Sequence, residues 1–166
     1  MLTPLLEVSN IQKEFSVGPI LNRKKIQAVR NVSFTINKGE TFALVGESGC
    51  GKSTTGRLVM KLIDPTAGSI KFDNVNLMEL SPKELRVMRR NMQIIFQDPY
   101  ASLNPRMTVE KILAEPFKIQ KLYSHDERKE KVEKLMEEVS LPISYRTRFP
   151  HEFSGGQRQR IGIARA

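Results

Sequence analysis

A chain of 166 residues, 39% hydrophobic and 27% charged, has the composition of one globular domain, long enough to bury about 68–70% of the surface its unfolded form exposes. A single cysteine, Cys50, and two histidines, His125 and His151, exclude a disulfide framework and a zinc-ligand cluster, and no apolar run of about 18 residues or basic-then-apolar leader marks a membrane span or a secreted chain. The 27 Lys and Arg against 18 Asp and Glu give a net +9, suited to nucleic acid, acidic headgroups or a polyanionic small ligand, yet the cations are spread over 22–25, 86–90, 146–148 and the last dozen residues rather than gathered in one stripe.

Residues 5–15, LLEVSNIQKEF, and 27–36, QAVRNVSFTI, alternate apolar and polar positions in part, which predicts two strands of a sheet with one wet face, joined by the loop SVGPILNRKK. After the turn NKGE, residues 41–45, TFALV, form a nearly unbroken apolar run, the pattern of a short strand buried on both faces of a parallel sheet. A glycine-rich turn follows, then a helix over about 51–63 that DPTAGS closes. Further strands are expected at 70–72, IKF, and 92–96, MQIIF, with a helix between them that starts at Ser81, where SPKE supplies an N-cap serine, a proline at the first helical position and a glutamate for a capping box. A second capping box, SHDE at 124–127, opens a helix to about 140, with Val132, Leu135, Met136 and Val139 on one packing face.

Strand, glycine turn and helix in that order frame the segment GESGCGKST. Gly46 is followed by Glu47, Ser48, Gly49 and Cys50, then by Gly51, Lys52 and Ser53, which is the spacing of a phosphate loop over 46–53. Glycines let the backbone curl so that successive amides, from about Gly49 to Thr54, face one concavity, and the positive end of the following helix adds about 0.3–1 kcal/mol per charge at exposed sites. Lys52 reaches the β- and γ-phosphates of a nucleotide, the Ser53 hydroxyl ligates the bridging magnesium, and Thr54 donates on the α-phosphate side. Cys50 lies inside this loop beside Lys52 and a helix N-terminus, the setting of a reactive thiol.

The segment HEFSGGQRQRIGIARA at 151–166 holds a second glycine turn that leads into a helix, with Ser154 as N-cap and Gln157 at the capping-box position. Read alone it is a helix cap, although its two glycines also expose amides beside a hydroxyl at a positive helix end, which makes a second anion site. Here the sequence resembles the ATP-binding subunits of ABC transporters, whose signature motif FSGGQRQRIGIARA matches, with Phe153 where leucine is common. The glutamine-loop region QIIFQDPYASLNPRMTV at 93–109 and RFPHEFSGGQRQR are similar to the oligopeptide and dipeptide importer branch.

The resemblance covers essentially the whole chain and implies an α/β fold: the phosphate-loop NTPase core of an ABC cassette, with an antiparallel β subdomain and a helical subdomain. Residues 1–166 would form one incomplete ATP-binding domain, with the glutamine loop at about 97–105, helical subdomain at about 106–153 and signature at 154–158. It implies ATP and Mg2+ as cofactors and a head-to-tail pair of cassettes in which Ser154, Gly155, Gly156 and Gln157 hold the γ-phosphate of the partner's ATP. Gln97 would contact magnesium or the attacking water, and Phe15 would stack on the adenine, a contact worth about 1–3 kcal/mol in nucleic-acid cases. His151 is read as packing. The implied partners are a second ATP-binding subunit, two transmembrane permease subunits and an extracytoplasmic solute-binding protein, with the chain peripheral on the cytoplasmic face of the membrane.

Phosphate-loop hydrolases also need a strand that ends in Asp, and ABC proteins a neighbouring glutamate and a switch histidine, which the family places after the signature helix. The chain ends at Ala166. The expectation is therefore a cassette truncated after the signature, able at most to bind ATP, because Asp98, behind Gln97 and before Pro99, is a poor substitute. The strand that would carry those groups belongs beside 41–45, so that stretch is expected to keep an uncovered apolar face and the chain to be marginally stable. Two other readings stay open: a non-transport ABC ATPase of DNA repair or translation, which the +9 charge suits but the importer-like 93–109 segment does not, and a non-catalytic nucleotide-binding module that caps a full-length partner. Nucleic acid as a partner is disfavoured.

Overall fold

The computed structural model describes residues 3–19, 23–98 and 102–166, which divide into two units, Met1–Gln93 and Ile94–Ala166. In the first, strands β1 (Pro4–Val17) and β2 (Lys24–Asn37) run antiparallel and are longer than the sequence pattern predicts. β3 (Ala67–Phe72) pairs with the other edge of β1, and the short β4 (Val75–Asn76) with β3, in the order β2-β1-β3-β4.

The imperfect alternation of β1 and β2 has a local cause. Asn10 and Asn31 adopt left-handed backbone conformations (φ 51° and 53°) where the register between the strands shifts. The Asn10 amide donates to the Ser33 hydroxyl at 2.8 Å, and that hydroxyl donates to Asn10 Oδ1 at 3.0 Å. Around these bulges Leu6, Val8, Ile11, Val29 and Ile70 still reach one buried face, where they pack with Leu58 of helix α1 (Lys52–Val59), Leu77 and Met92. Burial of one such leucine is worth about 1.5–3 kcal/mol, which fixes α1 and the loop before it against the sheet.

Helix α1 stops at Val59, short of the expected 63. Lys61 takes a left-handed conformation (φ 51°), its amide donates to the Leu58 carbonyl at 2.8 Å, and the Leu62 amide reaches back to Arg57 at 2.9 Å. The same terminator recurs twice in the second unit, at Lys121 and Leu122 after α3 (Val109–Ile119) and at Ser140 and Leu141 after α4 (His125–Glu138). Each carries a leucine just past a left-handed residue that is not glycine, so the usual glycine stop signal is missing from the sequence. Helix α2 (Pro82–Met88) begins with the expected capping box, Ser81 paired with Glu84.

Two expected strands do not form. Residues 41–45 and 92–96 belong to no strand, and among the described residues none pairs with them. A strand buried on both faces needs hydrogen-bonded neighbours and a cover on each side; lacking them, Val45 is 88% exposed and Ile95 53% exposed. Phe42 finds partial shelter by stacking on Phe34, ring centroids 4.8 Å apart.

The second unit is helical. Helices α3, α4 and α5 (Gly155–Arg165) enclose a core that includes Val109, Ile112, Leu113, Val132, Met136 and Ile161. The predicted face of α4 is the one used: Val132 and Met136 are fully buried, and Leu135 and Val139 lie half-buried against them. Among the described residues no helix is long and apolar enough to cross a membrane.

Candidate functional site

The phosphate-loop spacing translates into a turn that only glycine can make at its close. Gly51, the N-cap of α1, has φ 96°, and a Cβ there would lie 2.3 Å from the Ala28 carbonyl oxygen of β2. Gly49, φ 83°, makes the preceding reversal in open space. The cap supplies no side chain to the first turn of α1, which also holds no acidic residue. Its amides at Lys52, Ser53 and Thr54 and its positive end therefore remain available to an external anion.

Lys52 folds over the mouth of the loop. Its ammonium donates to the carbonyl oxygens of Gly46 and Glu47, both at 2.6 Å, and lies 3.6 Å from the Cys50 thiol. Cys50 is exposed, and its amide closes the turn on the Glu47 carbonyl at 3.3 Å. Ser48 and Ser53 are exposed, while Thr55 is buried and donates its hydroxyl to the Gly51 carbonyl at 3.0 Å, fixing the cap. Among the described residues no cluster of three His, Cys, Asp or Glu could hold a metal ion. The Ser53 hydroxyl beside Lys52 is a donor set that fits magnesium brought in on phosphate oxygens, not a metal caged by protein.

Phe15 stands in β1 opposite Ile26, 38% exposed, with the Lys13 ammonium 5.1 Å from its ring centre. The structure thus keeps its ring on the surface rather than in the sheet core.

In the second unit, Ser154 caps α5: its hydroxyl accepts from the Gln157 amide at 3.3 Å, and the Gln157 side chain accepts from the Ser154 amide at 3.0 Å. Gly155 and Gly156 are exposed, and a Cβ added at either would meet no atom within 4 Å. Their glycine identity is unexplained by this chain's own packing. Phe153 is buried, edge-on to Tyr145, and His151 is exposed, stacked on Phe149. Gln97 is exposed; of the expected glutamine loop 97–105, residues 99–101 lie outside the described residues.

Two arginines read from sequence only as surface charge have structural work. Arg158 is buried beneath the α5 cap and donates to the Pro150 carbonyl at 3.2 Å. Arg165, in the last turn of α5, donates to the Ser102 carbonyl at 2.5 Å and shares a small recess with Ile95, Phe96 and Gln159. It ties the backbone at residue 102, within the expected glutamine loop, to the helix that carries 154–157. The only sequence signal was an arginine in the last helical turn, which the carbonyl end of any helix would also favour.

The family model of ABC transporters matches residues 29–166. The chain belongs to the ABC transporter family. It is 55% identical over 164 residues to the putative oligopeptide transport ATP-binding protein YkfD of Bacillus subtilis, covering 98% of this chain and 49% of that protein. It is 51% identical to the oligopeptide transport ATP-binding protein AppF of the same organism, with 98% of this chain and 50% of that protein covered. The chain spans about half the length of the curated relatives it matches.

Among solved structures, the ATP-binding cassette MJ0796, a dimer bound to ADP and Pi, superposes with TM-score 0.82 at 30% identity, covering 96% of this chain and 68% of that one. Cassette cbiO1 of Clostridium perfringens gives 0.78 at 25% identity, covering 98% and 61%. The fold is that of an ABC cassette, with an antiparallel sheet and a helical unit, as the motifs imply. Members of this family bind nucleotides.

Proposed function

We propose that this chain forms the nucleotide-binding half of an ATP-binding subunit of an oligopeptide or dipeptide importer, peripheral on the cytoplasmic face of the membrane. In this reading ATP lies with its phosphates on residues 46–54 and its adenine on Phe15. Lys52 exchanges its two loop carbonyls for the β- and γ-phosphates, an exchange that offers a charged partner in place of dipoles. Ser53 and Gln97 would hold the magnesium; Gln97 would also orient water.

The observation that carries the reading is the pairing of an uncapped α1 N-terminus with a lysine poised over it. The bare surface at Gly155 and Gly156 supports the second half of the proposal, that 154–157 receive the γ-phosphate of ATP held by a partner cassette. The partner cassette, two permeases and a solute-binding protein complete the assembly; the peptide branch rests on the printed functions of the relatives, half of whose length the chain covers. Glutamine-loop movement would pass through Arg165 to the signature helix.

The test mixes a Lys52→Ala chain, whose 154–157 segment is intact, with a Gly155→Glu chain, whose phosphate loop is intact, and adds an ATP analogue that crosslinks through its γ-phosphate. Label on the 154–157 peptide of the Lys52→Ala chain is expected. Label confined to the chain that holds Lys52 would contradict the shared site.

A further inference from the structure

From the surface of the helical unit we infer a binding site for anionic phospholipid headgroups in the groove between α3 and α4. Over residues 108–132 the sequence carries nearly balanced charge, with six Lys and Arg against five Asp and Glu. Folding sorts these charges. A recess of about 200 Å³ between the two helices is lined by Lys111 and Lys118 of α3 and by Arg128 and Lys129 of α4, with Glu110 the acid among its lining residues.

No acid of α4 is among the residues that line the recess. Glu127 is engaged at the helix cap with Ser124, Asp126 contacts His125, and Glu133 accepts from Arg146 at 2.6 Å. Lys111, Lys118 and Lys129 are exposed and have no ion-pair partner among the described residues. Arg128 lends its Nε to the Leu122 carbonyl at 2.8 Å, which fixes its guanidinium at the groove. The floor is made by Ala114 and Val132, both buried, and the small alanine opens the space between the helices.

Beside this recess the last residue of α3 and the turn that leads on to α4 expose an aliphatic and an aromatic side chain. Tyr123 is 45% exposed and Ile119 51% exposed, with the Lys131 ammonium 5.2 Å over the Tyr123 ring. A lysine-lined recess for phosphate, next to an exposed tyrosine and isoleucine at headgroup depth, matches an anionic bilayer surface better than a free anion, which has no use for the apolar pair. The assignment is independent of nucleotide binding at residues 46–54, and its test reads lipid alone.

The experiment is flotation of the full 166-residue chain with phosphatidylcholine vesicles with and without phosphatidylglycerol, at physiological ionic strength; flotation separates bound chain from aggregate. Each lysine at an anionic surface contributes roughly five-fold in affinity. The triple variant K111E/K118E/K129E is therefore expected to lose roughly a hundred-fold or more, whereas K111R/K118R/K129R retains binding and shows that the site tolerates substitution. K24E/K83E/K134E, which changes net charge equally at exposed positions outside the groove, is expected to keep most of it. Equal binding to neutral vesicles, an equal loss in that charge-matched control, or release by excess inorganic phosphate or a DNA duplex at constant ionic strength would overturn the assignment.

Discussion

Replacement of Gly51 by alanine is expected to break the phosphate loop, and its cost can be worked from two independent terms. The residue sits at φ 96°, where an L side chain meets its own backbone, for roughly 1–2 kcal/mol. The new methyl would also lie 2.3 Å from the Ala28 carbonyl oxygen and 3.6 Å from Val29 Cγ2, so the loop and β2 must separate by about 0.7 Å to reach even a 3.0 Å contact. Overpacking of that kind costs about 1–3 kcal/mol, because the obstacle is backbone that cannot rotate away. Together the terms predict a destabilisation of about 2–5 kcal/mol. The same substitution five residues on, Gly56→Ala, is helical, exposed and meets nothing within 4 Å. There it should stabilise α1 by about 0.8–1 kcal/mol. Equilibrium urea unfolding of both variants, followed by far-UV circular dichroism, reads the difference directly. A Gly51→Ala chain as stable as the parent, or both variants shifting in the same direction, would refute the reasoning.

Alkylation of Cys50, exposed at the loop 3.6 Å from the Lys52 ammonium, should block nucleotide binding, and MgATP should slow the labelling; equal rates with and without MgATP would sink the idea. Arg165→Ala should remove the bond to the Ser102 carbonyl and raise hydrogen exchange in the 102–104 backbone without a loss of helix content, and unchanged exchange would show that the contact holds nothing. The Ser124 amide, and after it the Ser124 side chain, hold the Glu127 carboxyl below the usual glutamate range. Such a depressed carboxylate stabilises α4 above its unfolded value and loses that contribution as pH falls through the lower folded value. The start of α4 should therefore fray in acid below the ordinary glutamate range, and Glu127→Gln should flatten that dependence in NMR-detected helicity.

What the sequence made legible was local. The capping boxes at Ser81 and Ser124, the packing face of α4 and the α1 start at Gly51 follow from residue types a few positions apart, and each is in place. The ends of α1 and α3 were not legible, because Lys61 and Lys121 occupy left-handed positions where sequence reading looks for glycine. The apolar runs at 41–45 and 92–96 were read as strands from composition alone, but a strand exists only when something pairs with it, and pairing is a property of the whole sheet. Arg158 and Arg165 looked like solvated charge since their acceptors, the carbonyls of Pro150 and Ser102, carry no residue-type signature. The charge sorting across α3 and α4 was hidden for a related reason: a balanced sequence becomes a basic groove only after helix faces and pairing are fixed. The glycine turn at 46–51 was the clearest signal, since it rests on spacing and backbone freedom, both visible in one segment.

The most direct test of the central claim is equilibrium binding of MgATP to the 166-residue chain and to Lys52→Ala. Hydrogen bonds to charged partners contribute about 1.5–3 kcal/mol, so loss of the ammonium should weaken binding by roughly 10–150-fold while the circular dichroism spectrum stays unchanged. Saturable MgATP binding with that loss is the predicted result. MgATP binding that is indifferent to Lys52 would contradict the account.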